Sequence, residues 1–406
     1  MERFQERAAK LDHDLGTLKD GEEVTSTVIV HTIDELRDLL HDGLSAQARS
    51  EKGAEMQQRL GSLMGPAVQG KGEGLGCRAE AFLFADQALS EPDRELLQAV
   101  FPMTLQTLSV ENKTLQAGEV WNLGSSGATQ VINLGTLTME AGSSIVARNT
   151  AFSLTVETLV RNGGVSGSVN YDIGVLGLTG TEGAVLPAAP AGGAGRNGDE
   201  GTCTVSGSEP GDNGGDGGSG LPGPTGGVGN PGGNGFPSLS ASIVIGAGGI
   251  TGSSPRLTVL TRSGTGGRGG TGAQGGAGGA GGGGGQGASC ECTGTNGGNG
   301  GNGANGGRGG TGGTGGNGMA GNDVHVTVPP GAVSDVIQIK ETAPPGSGGP
   351  GGAGGSGGAA GGGGGGGHHA YDGNAGGGGS PGNQGPPGPS GTQSGAPGEI
   401  YVNESA

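Results

Sequence analysis

The stretch "NGGNGGNGANGGRGGTGGTGGNG", residues 296–318, decides what kind of fold the second half of this chain can form. It has no hydrophobic side chain larger than alanine, no aromatic ring and one charge, Arg308. Such a segment cannot bury enough apolar surface to offset the entropy of ordering, and its composition usually indicates disorder. The ordered alternative is that main-chain groups hold closely packed segments together through hydrogen bonds.

The spacing of glycine favours this ordered alternative. Of the 406 residues 105 are glycine, and six tracts of similar length repeat glycine at every third position. The tracts, numbered one to six along the chain, are residues 177–201, 211–235, 264–287, 296–318, 346–367 and 373–391. Leu186 and Ala189 interrupt the first tract, and the register after the sixth slips by one residue before Gly395 and Gly398.

A period of three residues is that of the left-handed polyproline-II-type helix, which rises about 3.1 Å per residue. Glycine on one face lets a neighbouring backbone approach until amides reach carbonyls, so the pattern predicts polyglycine-II helices. Collagen has the same period, and "GNQGPPGPSG" (382–391) is collagen-like. Collagen favours one long proline-rich run, however, and these tracts are short and regularly interrupted.

The interruptions alternate between two kinds of segment, which predicts three antiparallel hairpins of glycine helices, each strut spanning roughly 70–75 Å. Apolar strand-like segments lie at residues 241–245, 256–261, 324–328, 336–339 and 400–402, and polar turns at 202–210, 288–295 and 368–372. We expect the strands to cap one end and the turns to meet at the other. The third, fourth and fifth tracts carry two glycine faces, so we expect them inside the bundle.

The first 176 residues have different patterns. Residues 1–102 favour a small α-rich attachment or capping region, with a helix from about Thr32 to His41 and a second helix begun by Ser90 and Asp93 in capping-box spacing. Residues 103–176 alternate Val, Ile, Leu and Thr, which favours a β-solenoid-like base or a meander. The predicted fold class is therefore mostly non-helical: a six-helix polyglycine-II bundle (177–398) with β-strand caps, preceded by these two regions and followed by a terminal strand and tail (399–406).

Charge and hydropathy narrow the function. The net charge of −17 disfavours nucleic acid, and no apolar run reaches the roughly 20 residues of a membrane span. The N-terminal residues form an amphipathic pattern without the apolar core of a signal peptide. We expect an extracellular or virion-associated location, reached without a classical signal peptide.

The polar turns hold the candidate binding residues, since the hairpin arrangement brings all three turns together. They are Cys203, Ser206, Glu209, Cys290, Glu291, Cys292, Thr293, His368, His369, Tyr371 and Asp372. Three chemistries stay open: a disulfide from Cys203 to Cys290 or Cys292, a zinc site of the three cysteines with His368 and His369, or free thiols beside exposed imidazoles. The sequence has no Ser-His-Asp or Cys-His arrangement on a recognisable scaffold and no phosphate-binding loop. Glu140 and Glu157 in the β region leave a carboxylate pair for glycoside hydrolysis as an alternative, but we expect both to be solvated. We therefore expect no enzyme and, zinc apart, no cofactor.

The six tracts and three turns together resemble the glycine-rich adhesins at the tips of bacteriophage long tail fibres, over a little more than half of the chain. In that family a polyglycine-II sandwich displays variable turns that bind host outer-membrane receptors. The resemblance implies a non-enzymatic receptor-binding protein, with the three turns meeting a cell-surface receptor or glycan and residues 1–176 attached to a fibre or filament protein. The alternatives are a structural or matrix protein that uses the bundle as a spacer or assembly surface, and an ice-binding protein.

Overall fold

The computed structural model describes residues 2–40, 46–63, 74–85, 87–124, 128–165, 170–204, 212–290 and 293–405. Within them the chain is an α/β fold with six α-helices and twelve β-strands. All six helices belong to the first hundred residues: α1 Glu2–Lys10, α2 Leu15–Lys19, α3 Ile33–Leu39, α4 Ala46–Leu63, α5 Leu75–Phe84 and α6 Glu91–Gln98. None of the described helices is long and apolar enough to cross a membrane.

The strands form two sheets, and from β2 onward successive strands alternate between them. The strands are β1 Val24–Val30, β2 Met103–Leu115, β3 Val120–Asn122, β4 Gln130–Met139, β5 Ser144–Arg148, β6 Phe152–Arg161, β7 Ile173–Leu176, β8 Ala241–Thr251, β9 Leu257–Arg262, β10 Val324–Val328, β11 Val336–Glu341 and β12 Ile400–Glu404. The larger sheet has the order β1-β2-β4-β6-β8-β10-β12 and is parallel except for the antiparallel pair β1–β2. The smaller sheet has the order β11-β9-β7-β5-β3 and is parallel throughout.

The main core lies between the two sheets. Successive side chains of a strand point to opposite faces, so Ile132 and Leu134 of β4 face the smaller sheet while Val131 faces the helices. One apolar row crosses the six parallel strands of the larger sheet at matched register: Leu108, Ile132, Leu154, Ile243, Val326 and Val402. This row packs strands that are almost 300 residues apart in sequence into one core.

The helices cover the other face of the larger sheet. Leu36 and Phe84 pack with Leu105 and Val131, and Met56 packs against Tyr401 of the last strand. The two predicted helix starts are confirmed, because Thr32 and Ser90 are N-caps whose side chains accept hydrogen bonds from the Glu35 and Asp93 amides. The first hundred residues therefore share their cores with the sheets.

The predicted fold class is wrong. The strands between the glycine tracts do not cap a separate bundle, and the β region at 103–176 is not a base of its own. All of them belong to the two sheets, which extend from residue 24 to residue 404 and carry helices on one face. The sequence pattern missed this because nothing local indicates that β6 pairs with β8, 80 residues further along the chain.

The glycine tracts are the extensions of these sheets. The first, third and fifth tracts follow β7, β9 and β11, and the second, fourth and sixth lead into β8, β10 and β12. One row of glycine N–H groups donates to the next-but-one tract, as from Gly275 to the Ala353 carbonyl at 2.9 Å. Another row donates to the preceding antiparallel tract, as from Gly282 to the Gly218 carbonyl at 2.8 Å. Two hydrogen-bonded layers result, in the orders one-three-five and two-four-six.

These hydrogen bonds also correct the position of the fifth tract, which we expected inside. It lies at the edge of its layer, because it donates to the fourth tract and accepts from the third and sixth, while no described segment lies on its outer side. Its glycines are required by the close approach of the sixth tract. A Cβ atom built on Gly354 would lie 1.9 Å from the Gly382 carbonyl oxygen.

One buried ion pair joins the two sheets below the tracts. Arg161 at the end of β6 donates from Nε to Asp172 at 2.7 Å, and Asp172 also accepts from the Thr258 amide at 2.8 Å. Both side chains are nearly inaccessible, and burial raises the pKa of Asp172 despite these hydrogen bonds. The pair ties the end of β6 to the start of β7, and the first tract follows β7.

Candidate functional site

The described parts of the three polar turns lie side by side at the end of the tracts away from the sheets. Each turn joins two antiparallel tracts, so the layer order of the tracts determines which turns are neighbours. The Asp212 amide donates to the Thr202 carbonyl across the first turn, at 2.9 Å. In the second turn Ser289 and Gly294 form an antiparallel bridge. We call the described part of these turns, residues 202–204, 288–290, 293–295 and 368–372, the tip.

A disulfide between Cys203 and Cys290 joins the first turn to the second, with 5.8 Å between the two Cα atoms. The hydrogen bonds between the tracts bring these residues together although 87 positions separate them in sequence. Cys290 is buried at 7% exposure, whereas Cys203 is exposed. Of the two pairings that the sequence left open, the structure has the one with Cys290.

The third turn is held to the second by hydrogen bonds of the backbone and of polar side chains. The Gly367 amide donates to the carbonyl of the buried Thr295 at 2.9 Å, and the Tyr371 amide donates to Asn296 Oδ1 at 3.0 Å. Within the turn, Asp372 Oδ1 accepts from the Gly366 amide at 2.7 Å. His369 has φ of 64°, a left-handed conformation that non-glycine residues adopt with strain.

Several side chains of the tip are exposed to solvent. Tyr371 is 82% exposed, and the rings of His368 and His369 lie 4.1 Å apart between centroids, tilted by 59°. Thr293 and Asp372 are exposed as well. The tip therefore presents an aromatic ring, two imidazoles and a carboxylate to solvent, on a backbone that hydrogen bonds and a disulfide hold in place.

The zinc alternative loses two of its ligands to the disulfide, since Cys203 and Cys290 are bonded to each other. In the part of the chain that the structure describes, no group of three or more His, Cys, Asp or Glu side chains is arranged to hold a metal ion. Four predicted site residues lie outside the described residues: Ser206, Glu209, Glu291 and Cys292.

Sequence reasoning missed the carboxamides next to the turns. Gln286 Oε1 accepts from the Gly365 amide at 2.9 Å, and Asn296 Oδ1 accepts from Tyr371. Both residues stand at the variable position of a glycine triplet and support the turn of a neighbouring tract. One sequence signal could have identified them: each is a carboxamide residue at the last or first variable position of a tract, directly beside a turn.

A second concave region lies far from the tip, between α3, α5 and the larger sheet. It is a cleft of about 200 Å³ with apolar walls that include Leu36, Leu83 and Phe152. Its Glu80 carboxylate accepts from the Ser240 hydroxyl at 2.8 Å and lies 3.3 Å from His325 Nε2. These polar groups tie α5 to β8 and β10, so they already have a structural role.

Comparison with protein-family models, with curated proteins and with solved structures found no match for this chain.

Proposed function

We propose that this protein is a non-enzymatic receptor-binding protein whose tip contacts a cell-surface receptor or glycan. One observation carries the proposal: the described parts of three turns from distant parts of the sequence lie side by side. The disulfide from Cys203 to Cys290 joins the first turn to the second, and hydrogen bonds join the third turn to the second. A surface of exposed side chains on a rigid backbone loses little conformational entropy on binding. The rest of the chain then acts as the support that holds this surface away from the sheets.

The chemistry of the tip supports recognition of a polar surface. Tyrosine provides a large rigid contact with two side-chain torsions, and Tyr371 is the most exposed of the large hydrophobic side chains among the described residues. The exposed imidazoles and the Asp372 carboxylate add hydrogen-bonding groups beside it. This arrangement suits a glycan or the polar loops of an outer-membrane protein, as in the tail-fibre adhesins that the sequence resembles.

The experiment compares two variants of the full chain on a glycan array and on a panel of intact bacterial cells. Tyr371→Ala removes the exposed ring and leaves the backbone hydrogen bonds of the turn in place. Thr314→Ala changes an exposed residue of the fourth tract away from the tip and serves as the matched control. We expect wild type and control to bind the same glycan or cells, and Tyr371→Ala to lose at least about tenfold in affinity.

The competing functions make different predictions. A spacer or matrix protein would show no specific ligand on either surface, and Tyr371→Ala would behave like the control. An ice-binding protein would show thermal hysteresis in the purified state. Either result, together with no binding to cells or glycans, contradicts the proposed receptor-binding function.

A further inference from the structure

The outer edge of the fifth tract carries a row of main-chain donors without partners. The amides of Gly348, Gly351, Gly354, Gly357, Ala360 and Gly363 donate no hydrogen bond within the described chain. They recur every third residue and therefore lie along one side of the tract, over roughly 45 Å. Two positions of the same spacing bound this row. Before it stands Pro345, which has no N–H group, and after it stands Gly366, whose amide donates to Asp372.

In the third tract, which lies inside the same layer, the equivalent amides all have hydrogen-bond partners. The equivalent amides of the third tract all donate to the fifth, from Gly266 with the Pro344 carbonyl to Gly287 with the Gly365 carbonyl. The fifth tract can therefore donate to one more parallel segment on its outer side. The resulting interface would repeat the hydrogen bonds between the third and fifth tracts.

The sixth tract offers the complementary acceptors beside that row. The carbonyls of Gly376, Gly379, Gly382, Gly385 and Gly388 accept no hydrogen bond within the described chain. The corresponding carbonyls of the fourth tract accept amides of the fifth, as Gly301 does from Gly361 at 2.9 Å. An added segment would therefore accept from the fifth tract and donate to the sixth. We call the surface between these two rows the edge groove.

The other edges of the layers are less open. Proline has no N–H group, and it interrupts the edge row of the first tract at Pro187 and Pro190 and that of the sixth at Pro381 and Pro387. Proline at an exposed edge prevents the addition of further chains. In the fifth tract no proline interrupts the edge row of amides between Gly348 and Gly363.

We propose that the edge groove binds an extended glycine-triplet peptide of the pattern Gly-Pro-x. Glycine is required where the peptide donates to the sixth tract. At the equivalent position of the fifth tract, a Cβ atom built on Gly349 would lie 2.0 Å from the Gly270 carbonyl oxygen. The peptide residue after this glycine would only accept a hydrogen bond through its carbonyl, so proline fits there. Pro350, Pro386 and Pro389 stand at equivalent positions, and each accepts a glycine amide at 3.0 Å. The partner is thus a collagen-like or other glycine- and proline-rich chain in the polyproline-II conformation.

The experiment titrates the full-length protein into a fluorescent, end-blocked peptide of about seven Gly-Pro-Ser triplets, long enough to cover the row. A peptide with alanine in place of every glycine is the ligand control. We expect a rise in anisotropy with the glycine peptide alone. Hydrogen exchange should slow at Gly348–Gly363 when that peptide is present, because those amides become donors.

Two neighbouring alanines provide matched protein variants. Ala360→Pro removes an amide of the edge groove and places the ring where the peptide carbonyl would lie, and Pro345 shows that proline fits in this row. Ala359→Pro changes the adjacent position, whose amide points away from the groove and whose row already contains Pro344 and Pro350. We expect Ala360→Pro to weaken binding at least about fivefold and Ala359→Pro to change it less than about twofold.

Three results would overturn the proposal: no anisotropy change, equal binding of the two peptides, or equal affinity of the two variants. Sedimentation distinguishes a further case. A concentration-dependent dimer that Ala360→Pro abolishes, without peptide binding, would assign the edge groove to a second copy of this chain. None of these outcomes depends on the receptor that the tip binds.

Discussion

At the scale of single residues, His13 shows how a buried polar group is accommodated where the N-terminal helices meet the larger sheet. Its Nδ1 atom lies 2.7 Å from the Ser109 hydroxyl, and its Nε2 atom lies 2.9 Å from Thr107 and 3.0 Å from Ser26. Hydroxyl groups either donate or accept, so they satisfy both nitrogens of a neutral imidazole. Burial lowers the pKa of His13 and outweighs the attraction of Asp12 for the charged form.

The stability of the protein should therefore fall in mild acid. The unfolded chain binds a proton at His13 near the ordinary histidine pKa of about 6.5, whereas the folded chain resists it until the pH is lower. The contribution of His13 is complete above the unfolded pKa and is lost as the pH falls through the folded one. We expect urea unfolding of the wild type to show lower stability at pH 5.5 than at pH 7.5.

The variant His13→Gln is the control, because glutamine keeps hydrogen-bonding groups without titrating. Its stability should change less than that of the wild type between these two pH values, whatever its absolute stability. An equal loss in both proteins would assign the acid sensitivity to other groups.

At the scale of elements, the variable positions of the tracts follow a pairing rule that explains their composition. Asn302 and Asn305 accept, through Oδ1, from the amides of Gly377 and Ser380 on the parallel neighbour, at 2.7 and 2.8 Å. In the third and fourth tracts, each variable position that carries threonine instead faces a proline, which has no amide to satisfy. Thr265, Thr271, Thr311 and Thr314 face Pro344, Pro350, Pro386 and Pro389. Asparagine thus stands where the facing residue has an amide from which its side chain can accept a hydrogen bond, and threonine stands where the facing residue is proline.

Paired double variants test this rule. Asn302→Ala with Asn305→Ala removes two hydrogen bonds at the surface of the fourth tract, which should cost about 1–2 kcal/mol of unfolding free energy. Thr311→Ala with Thr314→Ala removes side chains that face prolines and should cost less than about 0.5 kcal/mol. Thermal or urea unfolding measures both. Equal losses in the two double variants would contradict the rule.

Part of these elements can be predicted from sequence and part cannot. The helix starts at Thr32 and Ser90 follow from cap residues, and the tract boundaries follow from the glycine period, because both patterns are local. The edge position of the fifth tract does not follow, since its two glycine faces also occur in the interior third tract. A tract needs a glycine face on each side where another tract packs closely against it. The glycine pattern does not show how many neighbours a tract has in all.

At the scale of the whole molecule, the disulfide links two turns of a structure whose tracts have almost no apolar core. A cross-link stabilises a fold mainly by restricting the unfolded chain, more so when it closes a long loop, and Cys203 and Cys290 are 87 positions apart. The same loop contains the second tract and strands β8 and β9. Its loss should therefore affect global stability as well as the tip.

The double variant Cys203→Ser with Cys290→Ser should lose about 2–4 kcal/mol of unfolding free energy under oxidising conditions. Hydrogen exchange should increase at the turns, while the amides of the two sheets stay protected. Cys292→Ser is the control and should behave like the wild type, because the bond does not involve that residue. An unchanged unfolding curve for the double variant would contradict a stabilising role.

The tip could be predicted only in outline. The sequence indicated which segments are polar turns, and it left a disulfide from Cys203 to the second turn as one of three possible chemistries. Neither the choice of Cys290 nor the support from Gln286 and Asn296 could be derived, because both depend on which tracts are neighbours. The zinc alternative also stayed open from the sequence, and it loses two ligands because the hydrogen bonds between the tracts bring Cys203 beside Cys290.

The sequence by itself determined the local properties of this protein: a period of three with glycine where backbones touch, polar turns between paired tracts, and capped helices near the N-terminus. These properties depend on residues close together in the chain, where side-chain size and backbone geometry act directly. Only the tertiary structure decided that β2 and β12 share one sheet, that the glycine tracts extend the two sheets, and that the fifth tract has an open edge. Main-chain hydrogen bonds are alike at every glycine, so their partners are selected by the packing of the whole chain.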